Sequence, residues 1–317
     1  MPNTPARRLS PLGRWLFPVL LVSGWAVTAP AQTDPPPRLP VLLSKETPVF
    51  QQFYRAFAPA AQRILSVPLE RLDNITSVTA SSGLPTIAVG TFACLDLLGQ
   101  DSRRPVLCTL TPRLAIVDAM AAYRGPVTAL YLDQPVERHL ALIRQALPET
   151  QTLGFIAGPV SEREVVPLER ATVALGWHFL PVNYREAQNL VTTLQPLLNQ
   201  ADVVLALPDP VVNSPYNIYP LLLTLYRKTI PVFGFSSAYV DAGALAAVFS
   251  TPEQIAQQTV ELAATWLKQP ERAVPPPEYS RYFTVRVNQG VAKSLQLTVP
   301  AEAGLQKQLQ ESREEAR

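Results

Sequence analysis

The chain has 317 residues, 47% of them apolar and 16% charged, with 27 Lys and Arg against 25 Asp and Glu. That balance lacks the basic excess of a nucleic-acid binder, and two cysteines with two distant histidines, His139 and His178, carry no metal-ligand spacing. Length and apolar content suffice for two lobes with separate cores.

Arg7, Arg8 and Arg14, an apolar run from Trp15 to Val27 and then Ala29-Pro30-Ala31 follow the order of a secretory signal peptide, with cleavage expected after Ala31. The run is shorter than the about 20 residues a bilayer span needs. No cysteine follows the cleavage point to carry a lipid. The mature protein is therefore expected to be exported and soluble, with no membrane insertion and no nucleic-acid partner. Removing residues 1–31 takes three arginines, leaving 24 basic side chains against 25 acidic ones. Residues 32–37, with Asp34-Pro35-Pro36-Pro37, read as a stiff leader.

From Arg38 onward, short apolar runs alternate with segments of helical period, the pattern of an α/β chain with parallel sheets. The strands expected are Leu39 to Leu43, Thr86 to Val89, Pro105 to Cys108, Val127 to Leu132, Thr152 to Ala157, His178 to Val182, Val203 to Leu207, Ile230 to Phe233 and Leu245 to Phe249. Most are continuous Val/Ile/Leu runs, as strands buried on both faces should be. Thr47-Pro48 opens the first helix as cap and first-turn residue, and Phe50, Phe53, Tyr54 and Phe57 follow as an aromatic core stripe. Further helices are expected over Glu137 to Leu147, Glu162 to Leu175, Glu186 to Asn199, Pro215 to Arg227 and Pro252 to Leu267. Glu70 to Ser82 is weakly patterned. Cys94 and Cys108 read as a disulfide, which export would permit, or as two inert buried thiols.

The chain is expected to cross between lobes near Thr128–Asp133, Ser250–Thr251 and Tyr279–Phe283. This gives a first lobe of residues 38–130 with 251–278, a second of 131–250 with 279–300, and a polar tail over 301–317, charged and read as a frayed helix or, in preference, as solvated surface.

In an open parallel sheet, ligands bind beyond the carboxyl ends of the strands, at the first turns of the following helices. That rule selects Ser44, Lys45 and Thr47, Gly90-Thr91-Phe92, Thr109 to Thr111, Asp133-Gln134, Gly158 to Ser161, Pro208-Asp209-Pro210 with Asn213, and Gly234-Phe235-Ser236-Ser237. Helix starts at Thr91 or Ser236 suit an anion and Asp209 suits an amine, so together they fit a small zwitterion or a cation. Each has a structural alternative: Ser44, Thr91 and Ser236 as helix caps, Asp209 as a turn or cap between two prolines, Phe92 and Phe235 as packing. Gly234-Phe235-Ser236-Ser237-Ala238 loosely matches a hydrolase nucleophile elbow, but no histidine follows Ser236 as that order requires. No phosphate-binding glycine loop is present. No catalytic residue, metal or cofactor is expected.

Residues 202–251, from Asp202-Val203-Val204 through Ile230-Pro231-Val232-Phe233-Gly234 to Ala242-Gly243-Ala244-Leu245, resemble the ABC transporter substrate-binding protein family of the periplasmic binding type I fold. Pro148 to Gly154 resembles that family's entry into the second lobe. Val287-Asn288 with Ala292 to Leu295 and Pro300 resembles its closing segment, and the likeness covers roughly residues 85–300. The resemblance implies two Rossmann-like lobes with parallel sheets joined by a multi-strand hinge. It also implies a periplasmic location, a small-molecule ligand that resembles an amino acid, and delivery to the membrane permease of an ABC transporter. By position, Thr91 would meet the ligand backbone and Asp209 its amine. The ligand-binding set is thus Ser44, Thr91, Phe92, Asp209, Asn213, Phe235 and Ser236. An accessory or sensor protein of the same fold, acting through a protein partner, is the alternative.

Overall fold

The computed structural model describes residues 38–45, 47–72, 84–100, 102–186, 188–268 and 274–315. The expected signal peptide and leader, and residues 73–82 of the weakly patterned stretch, lie outside them.

The first lobe is built in chain order by β1 (Leu39–Leu43), α1 (Pro48–Leu65), β2 (Leu69–Leu72), β3 (Thr86–Val89), α2 (Thr91–Leu98), β4 (Val106–Thr111), α3 (Arg113–Ala122) and β5 (Val127–Tyr131). Thr47 starts α1 as its side chain accepts from the Phe50 N–H at 3.4 Å, with Pro48 supplying a pre-set φ where no donor is needed. One turn apart, Phe53 and Phe57 stack at 5.4 Å between centroids and are fully buried.

The chain then enters the second lobe through α4 (Val136–Ala146), β6 (Thr152–Ala157), a 3-10 turn over Ser161–Glu164 and α5 (Val165–Ala174). It continues through β7 (His178–Asn183), α6 (Leu190–Gln200), β8 (Val203–Leu205), α7 (Ile218–Tyr226), β9 (Val232–Gly234), α8 (Ser237–Asp241) and β10 (Ala246–Phe249). Helix α9 (Pro252–Lys268) returns to the first lobe, where Ile255, Ala256, Val260 and Trp266 pack with Phe53 and Ile87. The two-residue strand β11 (Glu278–Tyr279) follows, and β12 (Thr284–Val287), α10 (Gln289–Ser294) and α11 (Glu302–Glu315) close the second lobe.

Two six-stranded sheets result, ordered β11-β5-β4-β3-β1-β2 and β12-β10-β9-β8-β6-β7. All their pairings are parallel except β10 with β12. This is the two-lobed α/β architecture of periplasmic binding proteins, with three chain crossings: β5 to α4, β10 to α9 and β11 to β12.

Several boundaries differ from the sequence expectation. Tyr131 and Tyr279, assigned there to the second lobe, pair with each other in the first sheet. Strand β4 runs on to Thr111 through a register shift, with Leu110 in the left-handed region at φ 53°. Such bulges re-aim side chains next to sites. Helix α3, which the sequence did not signal, opens after Pro112 with no side-chain cap.

The largest correction concerns residues 301–317, expected as a polar tail, a frayed helix or solvated surface with no part in a core. They form α11 over 302–315, whose Leu305 and Leu309 are buried in the second-lobe core beside Phe155, Phe283 and Val285. Its polar residues also have partners: Glu302 Oε1 accepts from the Val287 N–H at 2.8 Å and Gln306 Oε1 from the Val285 N–H at 2.7 Å. The helix covers the backbone donors of the edge strand β12, a role for which polar side chains are required.

Candidate functional site

The carboxyl ends of both sheets face an interlobe cleft containing two adjoining cavities. One, of about 590 Å³, is walled by Pro112, Leu114 and Tyr279 from the first lobe and by Leu207, Asn213 and Phe235 from the second. The other, of about 580 Å³, includes Leu110, His139, Ser236 and Thr251. They share Pro112, Asp133, Gln134, Pro208 and Phe235. A drug-sized site falls in this volume range.

Asp209 lies on the second-lobe wall and is 3% exposed. Its Oδ2 accepts from the N–H groups of Val160 and Ser161, both at 2.9 Å, and from the Ser161 hydroxyl at 3.0 Å. Its Oδ1 accepts from the N–H groups of Val211 at 2.9 Å and Val212 at 3.1 Å. Burial alone would raise the Asp209 pKa, but the backbone donors of Ser161, Val212, Val211 and Val160 outweigh it and hold the carboxyl below its ordinary value. Gly158 is required beneath it, since a Cβ there would stand 2.3 Å from the carboxylate carbon. Asp209 thus joins the 3-10 turn of one strand end to the loop of the next, its two oxygens filled by protein donors.

Asn213 has a similar role. Its amide donates to the Leu207 carbonyl at 2.7 Å and its Oδ1 accepts from the Tyr239 hydroxyl at 3.0 Å. Phe235 tilts against Tyr239 at 5.2 Å and lines both cavities. Ser236 caps α8, accepting from the Tyr239 N–H at 3.2 Å, while lining the second cavity.

The other three expected residues, Ser44, Thr91 and Phe92, line neither cavity. Ser44 Oγ accepts from the Ala93 N–H at 2.9 Å and so caps α2, and Thr91 shares a hydroxyl hydrogen bond of 2.8 Å with Thr111. Phe92 is 59% exposed, with Lys45 Nζ 4.7 Å from its ring centre. Physically, the first turn of α2 uses these side chains for its own backbone and surface.

Asp133, at the end of β5, appeared in the strand-end list but was not selected, and it lines both cavities. Its Oδ2 accepts from the Arg113 N–H at 2.9 Å, while Oδ1 is buried and receives no protein donor. Desolvation raises its pKa to about 6 against the lowering effect of the Arg113 N–H, and the nearby Glu164 carboxylate adds to the rise. Since the ordinary unfolded value is about 3.9, the folded chain holds this proton more tightly. The resulting penalty is present above pH 6 and disappears as pH falls toward 4. Asp133→Asn is therefore expected to stabilise the protein by about 2 kcal/mol at pH 7.5 and by nothing near pH 4, as read by urea melts at both values. Equal gains at both would refute the charge origin.

The cleft is bridged and its crossings are tied together. Arg113 pairs with Glu164, and Arg163 binds Asp118 through two bonds of 2.8 and 3.0 Å, each pair joining α3 to the 3-10 turn of the other lobe. Gln134 donates to Ser250 Oγ at 2.9 Å, and Ser250 donates to the Tyr282 carbonyl at 2.6 Å, so one relay touches all three crossings. His139 is buried, and desolvation first, then the Arg138 charge, pushes its pKa down to about 3, so it is neutral. Cys94 in α2 and Cys108 in β4 are free buried thiols; burial first, then the neighbouring Cys108, pushes Cys94 well above the usual thiol range. Among the described residues, no group of three His, Cys, Asp or Glu could hold a metal and no helix is long and apolar enough to cross a membrane.

Two α/β lobes, a three-crossing hinge and a cleft at the strand ends define a binding protein of the periplasmic type. The sequence model of the family described as ABC transporter substrate binding protein matches residues 85–308. This chain belongs to the ABC transporter substrate-binding protein family.

Three solved structures share its fold. The ligand-free, open structure of a substrate binding protein with adhesive properties from Clostridium difficile has 18% identity and a TM-score of 0.66, covering 83% of this chain and 96% of that one. An ABC domain from Streptococcus pneumoniae in complex with L-Trp has 16% identity and a TM-score of 0.60, covering 86% and 98%. A conserved domain protein from Vibrio cholerae O1 has 19% identity and a TM-score of 0.59, covering 84% and 96%. No curated protein matches the chain in sequence.

Proposed function

We propose that this chain is an exported solute-binding protein that captures a small, amino-acid-like molecule between its lobes and delivers it to the permease of an ABC transporter. The observation that carries the reading is the cleft: two cavities of about 590 and 580 Å³ that share five residues and are walled from both lobes. Ion pairs already bridge the lobes at Arg113–Glu164 and Arg163–Asp118, and closure of such lobes around a solute is a hinge motion. Export to the periplasm is supported by the basic, apolar and small-residue order of residues 1–31, with cleavage after Ala31. The Streptococcus structure of the same fold holds L-Trp, an amino acid of a size suited to this volume. In the proposed site, Phe235 stacks on the ligand and Ser236 offers it a hydroxyl, while Asp209 and Asn213 shape the wall.

A thermal-shift screen of the mature protein against amino acids, amines, peptides, nucleosides, sugars and metal chelates tests this. A ligand at 100-fold over its dissociation constant is expected to stabilise the fold by about 2.7 kcal/mol. The alternative, a periplasmic accessory or sensor acting through a protein partner, draws support from one face of α7, where Tyr219, Leu223 and Tyr226 are exposed beside Tyr216. A screen in which no small molecule shifts the melt would favour that alternative.

A further inference from the structure

We propose that the cleft selects a small organic cation, a primary ammonium on an apolar body, and that Asp133 Oδ1 accepts from its N–H groups. This rests on the solute-capture reading above and narrows its amino-acid-like solute to the amine without the carboxylate.

Among the described residues, the charged side chains lining the two cavities are all carboxylates: Asp133, Glu164, Asp209 and Glu253. Three of the four are already provided for. Asp209 accepts five protein hydrogen bonds, Glu164 is paired with the Arg113 guanidinium, and Glu253 is exposed to solvent in the first turn of α9. Asp133 remains, with one oxygen held by the Arg113 N–H and the other buried without a donor.

A buried acceptor left unmade is costly, and an ammonium brings three donors and the opposite charge. The groups facing Asp133 are Arg113, whose guanidinium is engaged by Glu164, and the Glu164 carboxylate, Tyr131 and Tyr279. None of them offers Oδ1 a hydrogen bond. The remaining walls are mostly apolar, with Leu114, Val136, Val160, Leu207 and Phe235 fitting a hydrocarbon or aromatic body beside the neutral polar groups of Gln134, Asn213 and Tyr279. A free amino acid would place its carboxylate among these acids with no cationic side chain lining either cavity. The arrangement therefore discriminates an amine from its parent zwitterion, and by a route that does not use Asp209.

The test is calorimetric titration of the mature chain at pH 7.5 with matched pairs: tryptamine against tryptophan, phenethylamine against phenylalanine, and cadaverine against lysine, with indole-3-acetate and glucose as anionic and neutral probes. At least one amine is expected to bind ten-fold or more tightly than its parent. Asp133→Asn, which keeps the side-chain shape and an acceptor for the Arg113 N–H, is expected to weaken that amine at least ten-fold. Parent amino acids binding as tightly as their amines, or an anionic or neutral probe binding while no amine does, would overturn the cation assignment and leave solute capture standing. Unchanged amine affinity in Asp133→Asn would overturn the role of Asp133. Binding of no probe at all would overturn both readings. The amine-to-parent comparison on the wild-type chain decides the class of solute even if the variant does not fold.

Discussion

Asp209→Ala is expected to remove about 4 kcal/mol of folding stability, because it orphans four backbone N–H groups and a buried hydroxyl in one step. An ordinary helix-cap loss is about 1 kcal/mol, and the difference lies in the number of donors and in their burial, with Ser161 at 0% exposed. Urea melts at pH 7 should show the midpoint falling with little change in slope, the signature of lost stability without altered compactness. The folded pKa of Asp209 is depressed, so its contribution is present above the unfolded value of about 3.9 and is lost as pH falls through the folded value. Wild type and variant should then converge in strong acid. A loss below 1 kcal/mol at pH 7 would mean that water re-satisfies these donors and that the carboxylate is free for another role.

Leu305→Ala combined with Leu309→Ala is expected to cost about 5 kcal/mol and to make the protein prone to association. Each leucine is within the second-lobe core, at 0% and 4% exposed, where a truncation of this kind typically costs about 2–5 kcal/mol. The two are neighbours on one face, so their effects are coupled and do not simply add. Loosening α11 also withdraws Glu302 and Gln306 from the Val287 and Val285 N–H groups, which leaves an open strand edge. Denaturant melts read the first effect and light scattering at increasing concentration reads the second. A variant that melts like the wild type would return this segment to the solvated tail its composition implies.

Those two residue pairs also show where the sequence was legible and where it was not. Strands β1, β3 and β6 have the bounds expected of their unbroken apolar runs, since burial on both faces leaves nothing else for such runs to do. Helix α1 was announced by Thr47-Pro48 because its cap is local, three residues from the donor it satisfies. Helix α3 was silent because it is apolar on most sides and buries only Ile116, so no period stands out. The helix of α11 is legible in its sequence but its docking is not, because its polar residues serve a strand edge that lies 15 to 21 residues away.

The site divides in the same way. The strand-end rule placed Asp209, Asn213, Phe235, Ser236 and Asp133 at the cleft, since topology alone decides which strand ends face it. Which carboxylate retains an open oxygen was beyond reach. The donors that fill Asp209 include Val160 and Ser161, 49 and 48 residues distant, and no local pattern reports their approach. Ser44 and Thr91 show the limit of reading caps as ligand donors, for their hydroxyls are used within the first lobe.

If a solute is captured as proposed, the two ion pairs between α3 and the 3-10 turn bear on how long it stays. Escape requires the lobes to part, so the rate of leaving includes the breaking of Arg113–Glu164 and Arg163–Asp118, while the rate of arrival at already parted lobes does not. The two pairs differ in how they respond to their surroundings. Arg163 and Asp118 have side chains 50% and 78% exposed, so salt screens them and they hold the lobes only weakly. Arg113 and Glu164, at 26% and 12%, are better shielded. Residence time in the cleft is thus set in part by a contact the ionic medium can loosen and in part by one it reaches poorly, and a permease that pulled α3 from the 3-10 turn would hasten release without touching the solute.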